Sequence, residues 1–577
     1  MSPPASPSSS CRDGGQPCRS AGPGEDSSGE VTSRRCAAPG RRRGRERPMS
    51  ALSCRGRWSA LRRTWARMPT VASGRLARAT ALVAGLTLGS QLLGLVRDIT
   101  VAAVFGVDST LDAYLVAQGL MNLVLALMAG ALAKAVVPTV ARAVADDEPR
   151  RGQHSVQVAL TVAVLVLGTA SVLMAVWARP VVAVLAPGFD EETTETAVAL
   201  TRVVLVAAVL VAATNVLAGT AHGHRRFGWA AAQGIPFNVT MIGGALLFGP
   251  VYGVTALAVA FVVGSALRLL LQVPPLLAVG QSFRPSLDVR DRGFREMAVL
   301  VPPLLVGSAI GQVNSLVDRA VASTVGEGAI AALSYGWHLV GLADTLVVAT
   351  VATTLYPALA AAARPGRARE LQDLLRRGSG VLLVLVTPVA LVLALAAEPV
   401  VDLVLGRGDF GPVAIELTAL AVTAYAAGLP ALALREPATR AFYALGDSRT
   451  PVVLALAGMA VNVVGDLTLG VRYGIPGLAA STSLSLLLVA VLTLWRLRRA
   501  GEGLTLAGLG RCCLQVAVAA GAAAVPTWWV GRSVDGVLAV PACVVACLAV
   551  YLLVLRLLRS AELRELGTVL RGVLPGR

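Results

Sequence analysis

The sequence predicts an all-α integral membrane protein of 14 transmembrane helices, arranged as two six-helix pseudo-twofold lobes plus two C-terminal helices. Three observations carry that expectation. Charged residues make up only 15% of the 577 positions, against about 25% in a soluble protein. Apolar segments of helix-spanning length recur from residue 79 to 557. Landmark residues repeat at an offset of 219–221 positions.

A helix needs about 20 apolar residues to cross the hydrocarbon. Segments of this kind lie at 79–105, 111–140, 155–178, 196–220, 229–249 and 251–273, which are spans one to six. Spans seven to twelve follow at 297–322, 331–360, 378–397, 414–434, 450–469 and 473–497. Spans thirteen and fourteen occupy 508–530 and 535–557. Glycine and proline inside them are tolerable where neighbouring helices satisfy the freed backbone groups.

Arginine placement gives an independent reading of topology. The connections after even-numbered spans carry 20 arginines, such as Arg142, Arg225, Arg290, Arg376 and Arg498. Those after odd-numbered spans carry four: Arg179, Arg407, Arg472 and Arg532. Positive charge stays on the cytoplasmic side. Both termini are therefore expected in the cytoplasm of a plasma-membrane protein with an even span count. The net charge of +17 is assigned to loops and leader, where it favours anionic lipid headgroups rather than nucleic acid.

The repeat supplies the lobes. Asp98 matches Asp318 (offset 220), Pro138 matches Pro357 (219), and Pro180 matches Pro399 (219). Tyr252-Gly253 matches Tyr473-Gly474 at an offset of 221. Since six is even, the two halves enter the membrane from the same side, related by an axis along its normal. The expected divisions are a disordered basic leader at 1–75, an N-lobe at 76–278, a C-lobe at 279–500, the last helix pair at 501–560 and a cytoplasmic tail at 561–577. The leader is rich in Pro, Ser, Gly and Arg and cannot bury a core; Met49 and Met68 offer alternative starts. Cys512, Cys513, Cys543 and Cys547 sit in apolar helices without metal-type spacing and read as small hydrophobes. No motif calls for a cofactor.

Gly89-Ser90-Gln91-Leu92-Leu93-Gly94-Leu95-Val96-Arg97-Asp98, Phe105-Gly106 and Leu111-Asp112-Ala113-Tyr114 resemble the opening of the MurJ/MviN lipid II flippase family. Val317-Asp318-Arg319-Ala320-Val321-Ala322-Ser323, Ala331-Ala332-Leu333-Ser334-Tyr335 and Thr353-Thr354-Leu355-Tyr356-Pro357 resemble its seventh and eighth helices. Phe442-Tyr443-Ala444-Leu445-Gly446-Asp447-Ser448-Arg449-Thr450-Pro451 resembles its loop between helices ten and eleven. The resemblance covers about residues 75–500 and implies membership of the multidrug/oligosaccharidyl-lipid/polysaccharide exporter superfamily. It implies a flippase carrying an undecaprenyl-pyrophosphate-linked peptidoglycan precursor, with a cationic central cavity for the headgroup and a groove at helices 13 and 14 for the lipid tail. Its implied partners are that substrate, membrane lipids and cell-wall synthesis proteins. The chain departs from the family pattern at Gln91, Leu125, Ala126 and His338, where the family carries arginine, and at Gly130, where it carries glutamate.

Ionisable residues inside spans cost about 2.5–3.5 kcal/mol each on insertion scales unless they face a partner or a cavity. The candidate substrate and translocation residues are Arg97, Asp98, Asp112, Lys134, Asp318, Arg319, His338 and Asp344. Arg97–Asp98 and Asp318–Arg319 read equally as adjacent ion pairs that hold each lobe together. Lys134 is expected to line the cavity near mid-membrane, and His338 with Asp344 to relay protons or bind a coupling ion. Asp466 and Arg268 read as packing or interfacial residues, and Arg435-Glu436-Pro437 as a self-paired helix terminus.

An enzyme is disfavoured. A prenyl- or glycosyltransferase needs clustered aspartates for Mg²⁺-pyrophosphate, and the one cluster, Asp146-Asp147-Glu148, lies in an arginine-flanked loop. Two other functions fit the same fold: export of a drug or a different lipid-linked glycan, and a non-transporting scaffold for envelope assembly.

Overall fold

The computed structural model describes residues 74–577 apart from 127–128, 346–349, 365–366, 501–507, 535 and 574–577. The leader and its four cysteines therefore lie outside the described residues. Everything described belongs to the unit Ser73–Arg577, and no strand occurs among the described residues.

The first half holds α1 (Gly74–Phe105), α2 (Ser109–Ala126), α3 (Ala129–Ala145), α4 (Pro149–Val176), α5 (Ala178–Leu185) and α6 (Glu191–Gly223). It continues through α7 (Phe227–Ala232), α8 (Gly234–Tyr252), α9 (Val254–Leu271) and α10 (Val273–Leu277). The second half holds α11 (Arg292–Ser323), α12 (Ala329–Asp344), α13 (Thr350–Ala362), α14 (Ala368–Leu395), α15 (Ala397–Leu405) and α16 (Pro412–Ala426). Next come α17 (Leu429–Ala444), α18 (Arg449–Gly465), a π turn at Asp466–Gly470, α19 (Val471–Tyr473) and α20 (Ile475–Ala500). The chain ends in α21 (Leu509–Ser533), α22 (Ala539–Leu557) and α23 (Ala561–Val573), so the expected tail contains a helix.

Among the described residues ten helices are long and apolar enough to span a membrane, or eleven counting the pair α16 and α17, bent by 43°. The expected spans two and eight are each built of two shorter helices, on either side of residues 127–128 and 346–349. Length and apolarity thus do not by themselves reach fourteen.

The halves repeat in detail. Helices α4 and α14 are both 28 residues long, and each is followed after one residue by a short helix, α5 or α15. Gly253 and Gly474 both take positive φ, 57° and 67°, where the chain reverses between consecutive helices. Only glycine enters that region without Cβ strain, which explains why the Tyr-Gly pair recurs.

One apolar cluster runs through both halves, from Leu111 and Tyr114 to Leu333, Tyr335 and Phe410, with Tyr335 meeting Phe410 edge-on at 5.6 Å. It lies beneath the loops that carry few arginines. There the halves touch through main chain: Asp409 N donates to Ala103 O at 2.9 Å, and Gly188 N donates to the Ser323 side-chain Oγ at 3.2 Å. A Cβ on Gly408 (φ 61°) would stand 2.1 Å from Ala103 O, and one on Gly328 (φ 74°) 2.4 Å from Val107. On the arginine-rich face Met297 of α11 enters the cluster of Leu132, Val136 and Val156, and Arg142 Nη1 reaches Glu296 Oε2 at 2.6 Å. That hydrogen bond holds the Glu296 carboxyl below its ordinary range, so the tie persists at neutral pH and weakens only as pH falls through that lowered value.

The last pair packs on α14. Cys512, Cys543 and Cys547 are buried there as small apolar side chains, and the Tyr551 hydroxyl donates to Val384 O at 3.2 Å. From α23, Glu562 pairs with Arg376 and Glu565 with Arg377, each at 3.4 Å.

Gly408→Val combines a strained φ with a backbone obstacle and is expected to destabilise by about 2 kcal/mol or more. Melting of the detergent-purified protein checks this. Gly243→Ala, in a helix and with nothing within 4 Å of the added Cβ, should match or exceed the parent.

Candidate functional site

Charged and amide side chains converge where the halves meet. Helix α1 delivers Arg97 and Asp98 about two turns before its end at Phe105. The Arg97 fork donates to Asp98 Oδ1 through Nε at 3.1 Å and Nη2 at 2.7 Å, while Nη1 donates to Asn238 Oδ1 at 3.2 Å. Asn238, on α8, in turn donates to Ser90 O at 3.1 Å. The second oxygen of Asp98 stands 3.4 Å from His338 Nδ1 on α12, in the other half. Asp98 thus joins the two lobes through a guanidinium on one side and an imidazole on the other.

A cavity of about 70 Å³ lies against this group, lined by Arg97, Asp98, Tyr114, Gln118, Tyr335 and His338. The hydroxyls of Tyr114 and Tyr335 are buried beside it without a partner among the described residues. The space and the polar lining suit ordered water. His338 and Ser334 also line a larger cavity of about 420 Å³, together with Asn314, Asp318, Arg319 and Arg435. These residues come from α11, α12 and α17, and the neighbouring α18 and α20 complete the wall.

The wall holds a carboxylate pair, with Asp318 half-buried at the cavity and Asp466 behind it. Asn462 Nδ2 donates to Asp318 Oδ1 at 2.9 Å and to Asp466 Oδ2 at 2.7 Å, and the Ser481 hydroxyl donates to Asp466 Oδ1. Asp466 is fully buried and opens the π turn of span eleven. A π turn inserts one extra residue per turn and re-aims the side chains around it. Two carboxylates in such a setting need a compensating proton or cation between them.

The sequence candidates therefore separate. Arg97, Asp98 and His338 form one cluster, and Asp318 and Arg319 line the larger cavity. Arg97–Asp98 is the adjacent ion pair expected, whereas Asp318–Arg319 is not. Arg319 instead crosses to the other half, donating to Leu115 O at 2.8 Å through a gap left by Gly119, where a Cβ would stand 1.8 Å from its Nη1. Asp112 is 1% exposed and lines neither cavity; its Oδ1 accepts from Ala331 N at 2.7 Å and caps α12 from the opposite lobe. Lys134 is exposed, on the side of α3 away from buried Leu132 and Val136, and lines neither cavity. Asp344 ends α12, and its side chain lies outside the described residues.

Four residues carry more than the sequence suggested. Asp466 is a partner in the carboxylate pair rather than a packing residue. Arg435 lies inside α17 rather than at a helix terminus; it pairs with Glu436 at 3.1 Å and still reaches the cavity. Asn238 accepts from Arg97 of α1, and Asn462 donates to Asp318 of α11, so each lobe ties an amide to the charged pair of its own first helix.

A duplicated helical fold sealed on one face, with polar cavities between and within its lobes, defines a multi-pass membrane transporter. The chain belongs to the lipid II flippase MurJ family, whose model matches residues 101–548. The lipid II flippase MurJ of Burkholderia cenocepacia is 28% identical over 435 residues, 74% of this chain and 84% of that protein. The probable lipid II flippase MurJ of Rhizobium meliloti is 30% identical over 429 residues, 70% of this chain and 76% of that protein. Among solved structures, a lipid II flippase MurJ in its inward closed conformation matches with a TM-score of 0.71 at 20% identity, over 83% of this chain and all of that one. An inward-facing MATE-family multidrug transporter shares the fold at a TM-score of 0.62 and 16% identity, over 75% of this chain and 99% of that one.

Asp112→Ala removes the α12 cap and is expected to cost about 1–2 kcal/mol, with Asp112→Asn retaining most of the stability. Thermal melts of the two variants check it. Equal melting points for Ala and parent would deny the cap.

Proposed function

We propose that the chain flips a polyprenyl-pyrophosphate-linked cell-wall precursor, lipid II or a close relative, from the cytoplasmic to the outer leaflet by alternating access. The observation that carries this reading is the Arg97–Asp98–His338 group: a guanidinium and an imidazole bound to one carboxylate across the two lobes, beside open polar space. An arriving pyrophosphate competes with Asp98 for the guanidinium and for the imidazole N–H. Arginine binds phosphate through a charge-assisted fork, so substrate loading and release of the interlobe tie become one event.

The arginine-rich face is assigned to the cytoplasm, with both termini on that side, and the backbone seal to the outer face. In this assignment the structure is closed outward. Rocking of 76–278 against 279–500 then exposes the centre alternately, and α21 and α22 offer an apolar flank for the polyprenyl tail. Asp318 with Asp466 supplies a candidate proton or cation coupling site, and Arg319, Asp112 and Lys134 are assigned to lobe closure and approach rather than to headgroup contact. Transport of this kind makes and breaks no covalent bond, and it places the protein in the bacterial inner membrane beside the peptidoglycan-synthesis machinery.

Arg97→Ala should abolish growth complementation in a flippase-depleted strain while the protein accumulates to the parental level in the membrane. Complementation at the parental level would remove Arg97 from the mechanism.

A further inference from the structure

A second arginine of the first half lies outside the group just described. Arg268 is in the last turn of α9 and continues the buried stripe of Leu257, Phe261, Gly264 and Ser265. Its guanidinium stands 5.5 Å from the centre of the Phe237 ring, and Arg97 stands 6.0 Å from the same ring. Among the described residues Arg268 has no carboxylate partner, and its Nε is buried without an acceptor. A cation inside a membrane span is costly when uncompensated, and one aromatic face returns only part of that cost. Packing alone does not explain its retention.

The surroundings are polar in a matching way. Gln272, one turn beyond Arg268, donates to Trp229 O at 3.2 Å, leaving its own Oε1 buried and unpartnered. Gln233 lies one turn from Trp229 and one turn from Phe237, between these two rungs, and its Oε1 is also buried without a donor. One unpaired cationic donor and two unpaired amide acceptors therefore lie where the end of α9 meets α7 and the start of α8. A phosphoryl oxygen answers the first, and sugar hydroxyls answer the second. Along α9, Arg268 lies about 20 Å from the arginine-poor end, closer to the arginine-rich face than Arg97 is.

We propose that Arg268, with Gln233 and Gln272, is a loading site for the sugar-bearing pyrophosphate headgroup, which then passes along Phe237 to Arg97. The inference rests on the flippase reading and adds to it a specific second cation. Gln233 and Gln272 set the preference for a glycosylated over a bare pyrophosphate.

The test is binding to the full-length protein in detergent, followed by native mass spectrometry or ligand-induced change in Tm. The probes are undecaprenyl-pyrophosphate-linked N-acetylmuramoyl-pentapeptide, undecaprenyl pyrophosphate, undecaprenol and inorganic pyrophosphate. Arg268→Met keeps the stem over Phe237 and removes the charge. It should weaken binding of both pyrophosphate lipids at least tenfold while the ligand-free Tm stays level or rises, since an unpaired buried charge is gone. Gln233→Leu combined with Gln272→Leu should weaken only the glycosylated lipid. Unchanged affinity in Arg268→Met overturns the loading site. If that variant melts lower, Arg268→Lys decides: weakened binding with restored Tm supports the site, and parental binding overturns it. Equal protection by inorganic pyrophosphate, lost in the same variants, assigns the seat to a free anion and overturns the lipid assignment. A parental protein that binds neither pyrophosphate lipid better than undecaprenol overturns the flippase reading itself.

Discussion

The architecture depends on how charge is held inside a hydrocarbon slab. No water is available there to solvate a carboxylate or a guanidinium, so each must be matched by another group of the protein or face a polar opening. Asp98 meets this demand from both sides, through Arg97 in its own helix and His338 in the other lobe. Arg319 meets it by reaching the carbonyl of Leu115 across the seam, and Asp112 by capping α12. These ties are polar and few, and each has an obvious competitor in an anionic substrate, a proton or a cation. A seam built from apolar packing alone would have no such trigger.

The opposite end of the same seam is built differently. At the arginine-poor face Gly106, Gly188, Gly328 and Gly408 let main chains of the two lobes approach to hydrogen-bonding distance. Such contacts are shape-dependent and all-or-none, because a rotation of one lobe removes the whole set together. At the arginine-rich face the contact is an exposed ion pair, Arg142 with Glu296, backed by the Met297 cluster. A backbone-lined seal at one end of the seam and an exposed ionic contact at the other make the two ends open by different means.

Much of this was legible in the sequence. Charge depletion, apolar run lengths and the 219–221 offset carry the helical membrane class and the duplication, and the Gly253 and Gly474 turns show why the offset is kept. Arg97, Asp98 and His338 were legible as ionisable residues at costly depth. Their mutual arrangement was not, because the contact joins residues 240 positions apart on different lobes. The fates of Asp112, Asp318 and Asp466 were also hidden. A carboxylate in an apolar helix looks the same in one-letter code whether it caps a helix, pairs with another acid or lines a cavity. The π turn at Asp466–Gly470 shifts the register of span eleven, and no propensity pattern announces it.

The central claim is that the seal between Ala103 and Asp409 must open for the headgroup to leave. Cysteines at these two positions, in a chain with its native cysteines replaced, can be joined by a short thiol cross-linker and released by reduction. Flipping of a lipid II-type precursor in proteoliposomes is then measured before linking, after linking and after reduction. The account predicts that linkage stops flipping and reduction restores it. Undiminished flipping with the seal locked would contradict it.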